Sequence, residues 1–400
     1  MLRAGGPALT VLLGALIGIS PFAMDIYLVS MPSMTVSLAA SVTMVQLTLS
    51  VYMYGLGAGQ LFAGPLSDRY GRRPVLLGGT ALFVAASLAC ALAPSVEVLI
   101  AARLVQALAV AACSTVPRAL VRDLFAGDDA AHILSLMGMV LGIAPIIAPI
   151  IGAQLHLAFG WRSTFGFVTV YAAVALFAAW RALPETLRNA DHRALHPRVM
   201  VANFALLLHS RVFLGYFLVS CFTFCGLFAF LAGSSFVFES VMDTGAGGFG
   251  LLFGSVMLGN VTGALIASRV VRRFGIDGVI RFAAALGCVA GLAMAALAWM
   301  GVHHPLAIVL PMFFYMVSLM MTAPQAMAGA MTPFPRIAGA AASLQQFGQF
   351  VLASTAALIV GVTYDHTSRP MATTIAVSAV LAFVCSRLLI RRTAKTVPAA

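Results

Sequence analysis

The sequence predicts an all-α membrane protein of twelve transmembrane helices in two pseudo-symmetric six-helix bundles, with both termini cytoplasmic. Three observations carry this. Hydrophobic residues make up 62% of the 400 residues and charged residues 9%, where a soluble domain carries about 25% charge. The apolar runs are long and apolar on every face, unlike the short alternating strands of a membrane barrel. Their number fits the length, because one crossing takes roughly 20 residues.

In order, the runs fall near 9–31, 44–66, 74–93, 96–117, 130–153, 161–182, 211–235, 247–268, 279–300, 305–328, 339–361 and 371–390, each broken by Gly, Pro or charge. The first follows Arg3 as a signal peptide would. It is too long, lacks a small-residue cleavage site after a short core and carries Asp25, so it reads as a mature helix. The most polar segment, 184–210, divides six helices from six, giving bundles over 1–187 and 211–400 with a cytoplasmic linker at 188–210. Gly64–Arg73, after helix 2, has a looser counterpart in Gly263–Gly275 after helix 8, which suggests duplication of a six-helix unit.

Charge sets the orientation. With the N-terminus inside, all of the 23 basic residues except Arg103, Arg162 and Arg369 lie on the cytoplasmic side. That asymmetry explains the net charge of +11 and displaces the reading of a nucleic-acid footprint. Trp161, Trp180 and Trp299 fall near helix ends, as an interfacial belt requires. The six cysteines, Cys90, Cys113, Cys221, Cys225, Cys288 and Cys385, lie in apolar helices as small hydrophobes, and neither they nor the eight histidines have metal-ligand spacing. No metal or cofactor is expected beyond protons as coupling ion.

Asp25 is placed about six residues, roughly 9 Å, below the outer end of helix 1, and Arg103 about 12 Å down from the outer start of helix 4. Buried charges at similar depth should pair. In one reading Asp25 takes up and releases a proton while Arg103 tunes it; in the other the pair only locks helix 1 to helix 4.

The loop Gly64-Pro-Leu-Ser-Asp68-Arg69-Tyr-Gly71-Arg72-Arg73 matches a cytoplasmic signature G-x-L-a-D-r-x-G-r-k, and Leu99–Ala107 resembles a helix 4 signature R-x-x-q-G with Ala107 in place of Gly. Ala144-Pro145 through Pro149, Gly152 and Leu155 are similar to g-x-x-x-G-P-x-x-G-G-x-L, with alanine for three glycines. On these motifs the chain resembles the major facilitator superfamily. Asp25–Pro32, Arg118–Phe125, Gly160–Arg162 and Leu183–Leu187 narrow the resemblance to the Bcr/CflA drug-efflux group of the bacterial inner membrane.

The resemblance implies a proton-exchanging exporter of drug-like molecules that works by alternating access, with Asp25 and Arg103 at the coupling site. It implies a cytoplasmic gate at Gly64, Asp68, Arg69, Gly71, Arg72, Arg73, Arg118 and Arg122, in which Asp68 can face the N-terminus of helix 11. Pro145, Pro149 and Gly152 would form a periplasmic hinge or seal, with plain small-residue packing as the alternative. A substrate cavity between the halves would draw on Tyr27, Tyr52, Tyr54 and Gln106, and on Phe224, Phe228, Asn260, Tyr315, Gln345, Gln346 and Gln349. The partners are then the bilayer and a small molecule, with no nucleic acid and the chain as a monomer. The rival on the same fold moves a physiological metabolite such as an amino-acid derivative or siderophore. An intramembrane enzyme has no acidic dyad or nucleophile motif behind it, and a channel no repeated filter segment.

Overall fold

A computed structural model describes residues 7–125, 127–187 and 197–390. Arg3, Arg188, Asp191, His192, Arg193, His196, Arg391, Arg392 and Lys395, used above for orientation and the linker, lie outside these residues.

The helices run α1 Pro7–Asp25, α2 Met31–Ser37, α3 Val42–Tyr70, α4 Arg72–Ala91, α5 Val96–Leu124, α6 Gly127–Phe159, α7 Arg162–Ala182, α8 Pro197–His209, α9 Arg211–Phe236, α10 Gly245–Trp299, α11 Leu306–Met331, α12 Ala338–Val362 and α13 Arg369–Leu388. Among the described residues there is no strand. Among the described residues ten segments are long and apolar enough to cross a membrane. The 29-residue α3 is not among them, diluted by Gln46, Thr48, Ser50, Gln60 and Ser67. The 55-residue α10 is broken at Gly275, whose φ of 69° no interior helical residue adopts, so the two runs expected at 247–268 and 279–300 meet end to end.

Local chemistry accounts for the ends. Ser41 accepts from the Met44 N–H at the start of α3 and Ser95 from Val98 at the start of α5, both as N-caps. Gly71, with φ 105°, turns α3 into α4 in one residue. Helix 1 departs from expectation: α1 stops at Asp25, and a 3-10 turn, Leu28–Ser30, leads into α2. Asp25 is therefore a helix end within the apolar stretch Ala8–Ser37 rather than a mid-helix residue. The polar run at 184–210 holds α8.

Two compact units emerge: Met1–Pro197 with Leu231–Gly254 and Ala357–Thr367, and Arg198–Phe230 with Ser255–Ala356 and Ser368–Ala400. In the first, α5 packs on α3 and α4, and α1 on α5, α6 and α7. Gly55 of α3 lies against Ala107 and Gly59 against Ala111, so small residues on both helices bring the backbones together. Glycine on α3 thus compensates for alanine in the helix 4 signature. The Leu231–Gly254 and Ala357–Thr367 segments join this unit through α3: Gln46 donates its amide to the Ala232 carbonyl at 2.8 Å and Thr43 its hydroxyl to the Gly361 carbonyl at 2.9 Å. In the second unit Phe213, Ala330 and Ala341 centre one core cluster and Val279, Ala283 and Met321 another.

Leu104, Val174, Phe177, Leu251, Leu292 and Leu381 are exposed large apolar side chains on spanning helices, the surface lipid requires. Trp180 and Trp299 are exposed, but Trp161 is buried. It stands at the N-cap of α7, a helix end as expected, with its ring edge-on against Phe165 and beneath Arg162.

Candidate functional site

Arg103 is fully buried in the first unit. Its Nη1 donates to the Ala23 carbonyl of α1 at 3.0 Å and to Gln106 Oε1 at 2.6 Å. Gln106 passes the connection on, donating from Nε2 to Ser87 Oγ of α4 at 2.7 Å. The guanidinium lies over the rings of Tyr52 at 4.0 Å and Tyr27 at 4.3 Å, with Phe165 at 5.7 Å. A cation that carbonyl, amide and aromatic faces surround is solvated without a counter-ion. Arg103 and Gln106 can act together because i and i+3 share a helix face.

Asp25, 1% exposed, lies beside this cage and outside it. Among the described residues neither carboxyl oxygen has a hydrogen-bond partner, and it makes no ion pair with Arg103 within 4.0 Å. The expected pair is thus not formed in this structure. Arg103 is taken up instead by the Ala23 carbonyl near the end of α1 and by the ring of Tyr27 in the turn that follows Asp25.

The Gly64–Arg73 turn is held from two distant places. Arg72 pairs with Asp68, donates Nη1 to Ser67 Oγ at 2.6 Å and Nε to Asp123 Oδ2 at 3.1 Å. The Glu185 carboxylate caps α4, accepting from the Arg72 N–H at 2.9 Å and the Arg73 N–H at 3.0 Å, where helix N–H groups and the dipole favour an anion. Partial burial pushes the Glu185 carboxyl up, but hydrogen bonds from the Leu187, Arg72, Arg73 and Thr186 N–H groups outweigh it and hold the group below its ordinary range. Arg73 also donates to the Trp180 carbonyl. The Gly64 carbonyl accepts from Ser67, Arg69 is exposed over Tyr70, and Gly71 leaves no room for a Cβ beside Glu185. Arg118 is half-buried and Arg122 exposed.

Pro149 and Gly152 are buried in α6 and Pro145 is half-buried. A Cβ on Gly152 would run into the Ile26 carbonyl, so this helix crosses the chain one residue beyond Asp25.

Of the expected substrate residues, Tyr27, Tyr52 and Gln106 hold Arg103, and Tyr54 is half-buried. In the second unit, Tyr315 donates to the Thr223 carbonyl at 3.0 Å and Gln349 to Ser220 Oγ. Phe224 stacks on Phe228 at 6.2 Å, and Gln346 is half-buried. Among the described residues Asn260 keeps an unpartnered Oδ1, and fully buried Gln345 has no partner for either amide atom.

Sequence reasoning missed Ser87, Asp123, Glu185 and Gln46. Glu185 and Asp123 stood inside quoted motifs, but a cap supplied from more than a hundred residues away has no local signal.

The Major Facilitator Superfamily model matches residues 13–357, and the chain belongs to that family. It is a multi-pass membrane transporter, not an enzyme, with a Bcr/CflA-type sequence. It is similar to the chloramphenicol resistance protein of Pseudomonas aeruginosa, 33% identical over 361 residues, covering 87% of this chain and 82% of the relative. The bicyclomycin resistance protein homolog of Haemophilus influenzae is 30% identical with 96% of each chain covered. Multidrug resistance protein D of Escherichia coli is 32% identical, covering 90% of this chain and 91% of that one. Among solved structures, a D-xylose-proton symporter matches with a TM-score of 0.77 at 17% identity, covering 96% of this chain and 98% of its own. That likeness shows the fold alone.

Proposed function

We propose that the chain is a proton-coupled exporter of drug-like amphipathic molecules in the bacterial inner membrane, acting as a monomer with Asp25 as the proton carrier. The observation that carries the reading is the Asp25 carboxyl, buried and, among the described residues, without donor or ion pair, while Arg103 Nη1 is held by the Ala23 carbonyl and Gln106. A carboxylate so placed is untenable, whereas the neutral acid is tolerated. Proton release would then send the carboxylate to Arg103, whose Nε and Nη2 have no partners. The exchange of Arg103 between the Ala23 carbonyl and Asp25 becomes the coupling step. Three relatives named for drug resistance support the substrate class.

The proposal includes twelve spans with both termini cytoplasmic: α3 and the two parts of α10 on either side of Gly275 complete the set. The Gly64–Arg73 turn then serves as the cytoplasmic gate and α6 around Gly152 as the periplasmic seal. Substrate would meet Asn260 and Gln345, whose unpartnered amide atoms suit a hydrogen-bonding ligand. The bilayer and the transported molecule are the partners, and the proton the only coupling ion.

The test is a susceptibility panel in a pump-deficient host. Asp25→Asn is expected to reach the membrane at normal abundance and confer no resistance. Full resistance with intact proton-linked efflux in that variant removes Asp25 from the mechanism. Because the fold is shared with a symporter, transport direction in vesicles with an imposed pH gradient separates export from metabolite uptake.

A further inference from the structure

The chain around Asp25 is held from two sides. On one, the Ala23 carbonyl and the Tyr27 ring take up Arg103 of α5. On the other stands α6, where residues 152 and 156, four apart, share a face. Gly152 admits the Ile26 carbonyl, which leaves no room for a Cβ. One turn further on, His156 Nδ1 meets the Ser30 hydroxyl at 3.2 Å. Ser30 is fully buried and closes the 3-10 turn Leu28–Ser30, its N–H donating to the Tyr27 carbonyl at 2.8 Å. His156 is half-buried.

The end of α6 that supplies this contact is itself tied down, because Ser163 of α7 donates its hydroxyl to the Leu155 carbonyl at 2.9 Å, beside His156. Four contacts therefore straddle Asp25: Ala23 and Tyr27 on Arg103, Ile26 and Ser30 on α6. The Asp25 carboxyl, without a hydrogen-bond partner among the described residues, takes its place from the backbone that these contacts hold. Imidazole suits the task. Its Nδ1 accepts from the Ser30 hydroxyl in one neutral tautomer, and donates to it in the other and in the cation, so the link survives a change of pH. Among the described residues no acid pairs with His156 within 4.0 Å. The titratable or charged groups towards this end of the elements packed on α6 are Asp25 of α1, Tyr27 after it, Glu97 and Arg103 of α5, and Arg162 of α7. Residues 245–254 of α10, which meet α6 at Ala153 and Pro149, carry none.

We infer that His156 is a positioning residue for proton exchange: through Ser30 it seats the turn after Asp25 on α6, and with Gly152 it fixes where the carboxyl stands relative to Arg103. This rests on the reading of Asp25 as the proton carrier. His156 acts through the backbone and exchanges no proton with Asp25. With the link cut, the end of the turn is free to leave α6 and the carboxyl takes up other positions. Its proton affinity then changes, because both desolvation and the pull of the Arg103 charge depend on where it stands.

The experiment uses the full chain in liposomes and follows the carboxylic acid carbonyl band of Asp25 by infrared spectroscopy across a pH series, the band being assigned by its loss in Asp25→Asn. His156→Leu and Ser30→Ala are each expected to move the midpoint of that band by at least about half a pH unit, roughly threefold in proton affinity. The double variant should move it no further than either single one, since both cut the same link. His156→Asn, whose side-chain amide reaches where Nδ1 stands, should keep the parental midpoint. An unmoved midpoint in either His156→Leu or Ser30→Ala overturns the inference. So do additive shifts in the double variant, and so does a shift in His156→Asn equal to that in His156→Leu, since ring bulk rather than Nδ1 would then hold the turn. Proton-linked efflux is measured beside the band. If Asp25→Asn retains it, the carrier reading fails, while midpoints that move as expected leave the placing of the carboxyl by His156 standing. If Asp25→Asn loses it and the midpoints stay, only the present inference fails. An Asp25→Asn variant that removes no band overturns both.

Discussion

Arg103 lies 4.0 Å over the ring of Tyr52, a contact that helps the Ala23 carbonyl, Gln106 and Tyr27 to solvate its charge without an ion pair. The Tyr52 hydroxyl reaches the Ser20 carbonyl only at 3.5 Å, beyond the usual range for such a bond. The ring should therefore matter and the hydroxyl should not. Tyr52→Phe is expected to stay within about 0.5 kcal/mol of the parent, while Tyr52→Leu should cost about 2 kcal/mol through loss of a desolvated cation–π contact. Thermal unfolding of the two variants in detergent reads the difference. Equal loss in both would assign Tyr52 to the hydroxyl instead.

Gly152 supplies the second expectation. With the Ile26 carbonyl where a Cβ would go, Gly152→Ala must push α6 off α1 and should cost about 1–3 kcal/mol, the range for overpacking. Gly138 and Gly142 lie in the same helix, and a methyl on either would meet nothing within 4 Å. Alanine at either should stabilise by up to about 1 kcal/mol, through helix propensity. Unfolding midpoints of the three variants test the contrast. If Gly152→Ala behaves like the other two, the close crossing beside Asp25 is not required.

The sequence carried the spans better than their contacts. Long apolar runs bounded by Gly, Pro and charge placed α7 and α9 within a residue or two, because lipid demands that each crossing satisfy its own backbone. The end of α1 at Asp25 was hidden, since the residues after it stay apolar through a 3-10 turn and α2. Arg103 was readable as a buried charge, but its partners are a backbone carbonyl, the Gln106 amide oxygen and aromatic ring faces, which leave no acid to look for. Gln46 looked like one more polar residue on α3, and only its approach to Ala232 gives it meaning.

Glu185 makes the fourth-helix cap sensitive to acid. Its carboxyl is held below the usual range by N–H donors on the folded chain, so the cap's contribution is complete above the unfolded value of about 4.3 and is lost as pH falls through the depressed folded value. Amide exchange of Arg72 and Arg73 should show protection that is flat from neutral pH down to about 4.3 and that declines below it. Glu185→Gln should lower protection at neutral pH and abolish that decline. A decline already complete at pH 5–6 would mean that another group controls the turn.

Tyr315 and Gly226 provide the last expectation, in the second unit. The Tyr315 hydroxyl donates to the Thr223 carbonyl at 3.0 Å by passing over Gly226, where a Cβ would collide with the phenol oxygen. Gly226→Ala should therefore cost about 1–3 kcal/mol by overpacking. Tyr315→Phe gives up one hydrogen bond to a carbonyl and should cost about 1 kcal/mol. The phenylalanine removes the phenol oxygen but keeps the ring carbons Cζ and Cε1, which the new methyl also meets, so the double variant should be more stable than the two separate losses predict by only about 0.5 kcal/mol, the low end for residues in contact. Additive losses in a thermal double-mutant cycle would show that the methyl is accommodated by helix movement rather than opposed by the hydroxyl. The sign of the coupling thus tests whether glycine stands at 226 for the tyrosine alone.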